Sequence, residues 1–141
     1  MPLPRASLYA QGENIHVAAW PGSARNTRDI TRFIALESRS YVLSVSSLMH
    51  ADWIGDAFPH AECVKTAASG WMADGGSCIA GPDGEWVIEP QVEKEILLTA
   101  SLNLDSILRE RQNFDPSGHY SRPDITQLKV DRKRQSIVRF E

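Results

Sequence analysis

Cysteine is scarce in this chain. Cys63 and Cys78 are its two examples in 141 residues, too few for a secreted disulfide scaffold, so free thiols in a reduced compartment are the simpler assignment. Long apolar runs are missing too. Nothing approaches the roughly 20 residues that a bilayer crossing needs, and no charged-then-apolar leader opens the chain; the expected location is cytoplasmic, with no membrane partner. Positive charge is not in excess either. The formal net charge is −3, whereas nucleic-acid surfaces concentrate lysine and arginine, so no nucleic-acid partner is expected. The local exception, KVDRKRQSIVR near the end, reads as a solvated segment because no aromatic platform accompanies it. Internal repeats and low-complexity tracts are absent.

The chemical motifs that would assign a reaction directly are also wanting. His50, Asp52, His60 and Cys63 are residues that zinc accepts, yet their spacing matches no C-x-x-C or H-E-x-x-H pattern and no helix aligns them. No metal and no other cofactor is expected. Gly75-Gly76 precedes a strand rather than a helix N-terminus, which argues against a phosphate loop. A reactive thiolate needs a neighbouring cation or helix N-terminus. Cys63, three positions after His60, has neither in sequence, and Cys78 falls inside a strand pattern where a small hydrophobe is expected. A thiol or metal hydrolase built on His60 and Cys63 therefore ranks last among the readings.

What is present is an ordinary globular composition, 42% hydrophobic and 23% charged, sufficient for one domain that buries about two thirds of its unfolded surface. Pro2 and Pro4 are compatible with a first helical turn, and a helix over about residues 4–11 stops near Gly12. Ile15 to Trp20 reads as a parallel strand buried on both faces. In strand-helix-strand units such a first helix follows an earlier strand, and none precedes it here. Asn26 or Thr27 caps a second helix, 27–40, with Ile30, Phe33 and Ile34 on its core face.

Glu37 falls on that same stripe without a basic residue at helical spacing. It is either an edge-of-stripe glutamate reaching solvent or a carboxylate bonded to buried groups near a site. Tyr41 to Leu48 is a second strand, with Val42, Ser44 and Ser46 on one face. The crossover makes it parallel to the first, so Trp20 and Ser46 or Ser47 meet at the edge where open α/β sheets bind ligands. Residues 49–74 lack a period and read as a lid, an interface loop or an insertion. GGSCIAGPDGEWVIEP is a hairpin turning at Pro82 and Asp83. Another strand over 95–102, a short helix from Asn103 or Asp105 to Gln112, and an irregular close complete the chain.

Several stretches together resemble the nitrilase branch of the carbon-nitrogen hydrolase family: MPLPRASLYAQG, IHVAAWPG, ITRFIALESRSYVLSVSSLM, DGGSCIAGPDGEW and, most specifically, FDPSGHYSRPD. The resemblance implies an incomplete αββα sandwich, with 1–124 the C-terminal part of the hydrolase domain and 125–141 a tail. That family uses a Cys nucleophile, a Glu base and a Lys to convert nitriles through a covalent thioimidate to acid and ammonia. By resemblance, its nucleophile segment, Cys-Trp-Glu-Asn, lies immediately before the stretch matching MPLPRASLYAQG, with the Glu and Lys further upstream. None of the three can be carried onto a position here, so the chain is expected to be inactive alone and Met1 suggests a truncated frame, a split gene or an internal start.

What the resemblance does carry over is secondary. Trp20 and Pro21 border the substrate pocket, and helices 4–11 and 27–40 match the family's principal dimer surface; Glu37 is a supporting residue only on the sharper reading of its place in the helix stripe, and the resemblance does not supply it. A nitrile or amide substrate is implied only on completion by the amino-terminal half. The alternative is a non-catalytic binding or oligomerisation module that pairs with an intact relative or a separate amino-terminal half.

Overall fold

The computed structural model describes residues 1–68, 70–133 and 136–138. Its first helix, α1 (Pro2–Tyr9), opens with proline where the missing N–H costs nothing. Strand β1 (Ile15–Trp20) leads into α2 (Ala24–Ser38), which returns the chain to β2 (Tyr41–Ser46). The two strands are parallel and in register from Ile15 opposite Tyr41 to Trp20 opposite Ser46. Next come β3 (Leu48–His50), a single 3-10 turn at Ala51–Trp53 and α3 (Ala61–Ala67). The long β4 (Trp71–Ala80) pairs antiparallel with β2 and then β3 along one edge and with β5 (Trp86–Val92) along the other. The mixed sheet is thus the α/β arrangement expected, and α4 (Asp105–Asn113) ends the regular structure.

The core lies between α2 and one face of the sheet. Ala18, Ile34, Ala35, Val42 and Ala80 are buried there, with Trp20, Ile30 and Trp86 packed around them. The small face of β2 therefore meets α2 as its composition requires. The buried stripe of α2 is nevertheless rotated from the expected one. Thr27, Thr31 and Ser38 are buried with Ile34 and Ala35, whereas Phe33 is 52% exposed. These hydroxyls turn back onto helical carbonyls, Thr31 to Thr27 at 2.7 Å and Ser38 to Ile34 at 2.7 Å, so they enter the core already hydrogen-bonded.

Strand β1 is not buried on both faces. Ala18 is covered by α2, but Val17 on the opposite face is 67% exposed and Val45, opposite Ala19 on β2, is 56% exposed, because among the described residues no layer lies over that side. Residues 95–102 form no strand, contrary to the expectation, and pair with none of the described strands.

Helix boundaries also shift. α1 ends at Tyr9 rather than near residue 11. α2 begins at Ala24, ahead of the Asn26 or Thr27 expected, because the carboxylate of Asp74 accepts the Ala24 N–H at 2.9 Å from 50 residues away. It stops where Arg39 turns left-handed, at φ 51°. The 49–74 stretch is partly ordered after all, since β3 continues along β4 where β2 leaves off. The hairpin turn forms as expected, Gly84 N–H donating to Gly81 at 2.9 Å. Residues 134–135 and 139 of the basic stretch lie outside the described residues.

Ile34 is the largest aliphatic side chain in the central cluster. Ile34→Ala is expected to lower stability by about 2–5 kcal/mol, measurable as a shift in the urea unfolding midpoint with little change in slope.

Candidate functional site

Parallel strands that share a crossover end on one edge, and here that edge is built from Trp20, Pro21, Ser46 and Ser47. The Ser47 N–H reaches the Trp20 carbonyl at 3.4 Å, closing the two strand ends together. Beyond them the chain must turn sharply into α2, and glycine permits it. A side chain at Gly22 would stand 2.5 Å from the Ala73 Cβ, and one at Gly76 2.8 Å from the Ala24 Cα. The glycine pair at 75–76 thus does abut a helix N-terminus, but the Asp74 carboxylate already occupies the position an anion would take. The carbonyl of Asp74 accepts the Glu93 N–H at 2.7 Å. One residue therefore holds the loop after β1 and the segment after β5 against each other.

Between β2, β4 and residues 94–96 lies a cavity of about 450 Å³, to whose lining that edge contributes Ser46 but neither Trp20 nor Pro21. Ser77 lines it, and its Oγ receives the Ser46 N–H at 3.0 Å. Behind it the Trp20 Nε1, Ser44 Oγ and Ser46 Oγ are buried with no hydrogen-bond partner among the described residues. Trp20 is half-buried at the edge and Pro21 exposed beside it.

Glu37 sits elsewhere. It follows Ala24 by 13 positions along α2, which places it about 20 Å down the helix from the Trp20 loop. There its Oε2 accepts three bonds from α1: Arg5 Nη2 at 3.0 Å, Arg5 Nε at 3.3 Å and the Tyr9 hydroxyl at 2.8 Å. The basic partner that helical spacing withheld comes from another helix. Burial, followed by the hydrogen bond to the Glu37 carboxylate, pushes the Tyr9 hydroxyl well above its ordinary range and keeps it a donor. Tyr9 is the one buried residue of α1, so this cluster is the principal tie between α1 and α2.

The other sequence candidates are dispersed. His50 accepts the Asp52 N–H at 3.3 Å and meets Trp71 edge-on, His60 precedes α3, and Cys63 is exposed. Among the described residues no three His, Cys, Asp or Glu side chains gather as a metal site. Cys78 is buried, and burial raises its thiol above the ordinary range. The FDPSGHYSRPD stretch is a self-bonded turn: Asp115 Oδ1 accepts N–H groups from Ser117 at 3.0 Å and Gly118 at 2.9 Å. Arg39 lies over the Phe114 ring and pairs with Glu110 at 3.2 Å, joining the turn and α4 to the end of α2. Sequence reasoning missed Asp74, Arg5 and Tyr9. Only the DGG spacing hinted at the first.

No family model matches the chain. It is 34% identical to an aliphatic nitrilase of Rhodococcus rhodochrous across 99% of its own length and 39% of that protein's. It is 34% identical to an arylacetonitrilase of Aspergillus kawachii, covering 98% of the chain and 45% of that relative. A nitrilase 2 of Arabidopsis thaliana is 31% identical over 99% of the chain and 42% of the relative. The chain thus spans less than half the length of the curated relatives it matches.

Two outcomes follow from the geometry. Glu37→Ala is expected to cost about 1–2 kcal/mol, below the upper range for charge-assisted bonds because Glu37 is 31% exposed, and to speed amide exchange across α1 selectively in a hydrogen-exchange experiment. In the native chain, iodoacetamide is expected to modify Cys63 alone, with Cys78 reacting only after denaturant is added, as read by mass spectrometry.

Proposed function

This chain belongs to the nitrilase family, and we propose that it serves as the carboxy-terminal part of a hydrolase acting on non-peptide carbon–nitrogen bonds, converting nitriles to acid and ammonia once the sandwich is complete. The observation that carries this reading is the open apolar face of the sheet, where Val17 and Val45 are exposed on a chain that aligns over nearly all of its length with less than half of each relative. Exposed apolar sheet faces are normally covered by another layer. A second sheet supplied by the remaining portion would bury this one and give residues 95–102 a strand to pair with.

In the completed enzyme the division of labour follows from chemistry. A thiolate must attack the nitrile carbon, a base must move protons and an ammonium must stabilise the developing charge; the first, second and third of these come from the amino-terminal portion. This chain contributes the wall. Trp20 and Pro21 border the pocket at the strand ends, held there by the Ser47 and Asp74 contacts. Glu37 acts as a positioning residue, because it fixes α1, and α1 follows directly on the segment that bears the nucleophile in the family. Residues 125–141 form the tail. The exposed apolar side chains of α1 and α2, Leu3, Leu8, Phe33 and Leu36, are the surface for self-association. Among the described residues no helix is long and apolar enough to cross a membrane, and a cytoplasmic site of action fits the free thiols.

The non-catalytic module is the less favoured alternative, since the relatives that match nearly the whole chain carry nitrilase names.

Co-expression with the amino-terminal half of a relative tests the proposal. The pair is expected to be soluble and to release ammonia from nitriles, while the chain alone precipitates or turns over nothing. Ammonia release by the purified single chain, abolished by Cys63→Ala or Cys78→Ala, would overturn it.

A further inference from the structure

We infer that Asp74 is a positioning residue for the completed enzyme: by capping α2 in place of Ser23, it holds the loop from Trp20 to Ser23, and with it the pocket border, in a conformation the loop does not keep by itself. This rests on the hydrolase reading above and deepens it, naming a residue outside the pocket on which substrate binding depends.

The loop has three residues in which to turn from β1 into α2, and it turns through two successive positive φ angles, 122° at Gly22 and 87° at Ser23. Glycine takes such an angle freely. Serine does not, and with ψ at 105° Ser23 lies outside even the left-handed helical region. Backbone of that kind persists only where its surroundings impose it. Serine is also among the best residues to cap its own helix, but it does so from extended backbone, and here the Ser23 side chain makes no capping bond. The acceptor is Asp74 instead, whose Oδ1 takes the Ala24 N–H at 2.9 Å. The start of α2 therefore has two competing caps. One strains the loop; the other relaxes it.

Asp74 prevails because it is itself held firmly. It lies in β4 between β3 and β5, opposite Leu48, and its carbonyl takes the Glu93 N–H at 2.7 Å. The loop is pressed onto the same strand on either side of it, Gly22 against Ala73 and Ala24 against Gly76. Without the Asp74 acceptor, a return of Ser23 to negative φ would let its own hydroxyl cap α2. Pro21 and the end of β1, joined to Ser23 through Gly22 alone, would be re-aimed.

The test uses the complex co-expressed with the amino-terminal half of a relative. Asp74→Ala is expected to lower kcat/KM about tenfold to a hundredfold, mainly through KM. Adding Ser23→Gly should restore most of that loss, since glycine keeps the positive φ without strain and has no hydroxyl to cap with; a residue that merely stabilised the fold would not be rescued this way. Asp74→Asn keeps an accepting oxygen and should hold KM within about twofold of the parent. NMR with this chain alone isotopically labelled reads the Ser23 φ from its amide-to-Hα coupling, positive in the parent and negative in Asp74→Ala. An unchanged KM or a Ser23 φ still positive in Asp74→Ala, no restoration by Ser23→Gly, or an Asp74→Asn loss as large as that of Asp74→Ala overturns the assignment. Where Asp74→Ala alone does not accumulate, Asp74→Asn and the double variant carry the same comparison. A complex that releases ammonia with KM indifferent to Asp74→Ala refutes the Asp74 role alone, whereas a Ser23 that inverts in a complex without turnover refutes the hydrolase reading alone.

Discussion

The structure depends on how closely α2 approaches one face of the sheet. Ala35, Val42 and Ala80 have no exposed surface at all, and contact that tight requires small side chains on the strands beneath. Ala18 and Ser44 meet this need in the middle of the crossover, and Gly76 meets it at the helix start, where any Cβ would strike Ala24. Because the first turn of α2 is drawn onto β4, Asp74 can reach its N-terminus and cap it. The loop between β1 and α2 is then fixed, and with it Trp20 and Pro21. The same packing leaves the other face of the sheet apolar and open, so the interaction that forms this half of a sandwich also creates its need for another.

Peripheral elements are fastened by polar contacts instead. α1 is held by Arg5 and Tyr9 on a single Glu37 oxygen. α4 is held by the Tyr41 hydroxyl on the Asn103 carbonyl at 3.0 Å, by Arg39 on Glu110, and by Arg111 on Asn14 at 3.2 Å, with Ile107 buried beneath. Such bonds are directional and add less stability than core burial. They fix where a helix sits more than whether the domain folds.

Local patterns carried much of this in the sequence. The hairpin at Pro82 and Asp83 is set by four consecutive residues, and β1, α2 and β2 by runs of suitable period. The errors share a cause. Counting hydrophobic residues put Phe33 in the core and Thr27, Thr31 and Ser38 out of it, because composition does not reveal that a hydroxyl bonded to its own helix is cheap to bury. The pattern at 95–102 has the character of a strand, but strand formation needs a partner and the described residues hold none. Trp53 carried no signal, since its chain neighbours have no period and its packing partner Trp71 lies 18 positions away.

The sequence by itself determined that α1, β1, α2, β2, the hairpin and α4 form, that the crossover is parallel and, through several matching stretches, the family. These depend on short-range periodicity, turn chemistry and residue identity, which are written along the chain. Only the tertiary structure decided that Asp74 caps α2, that Glu37 answers to Arg5 and Tyr9, and that Trp53 faces a cavity with Ser77 and Lys94. Each of those joins residues separated by 24 to 50 positions, and such contacts exist only once the helices and strands have taken their places around a common core.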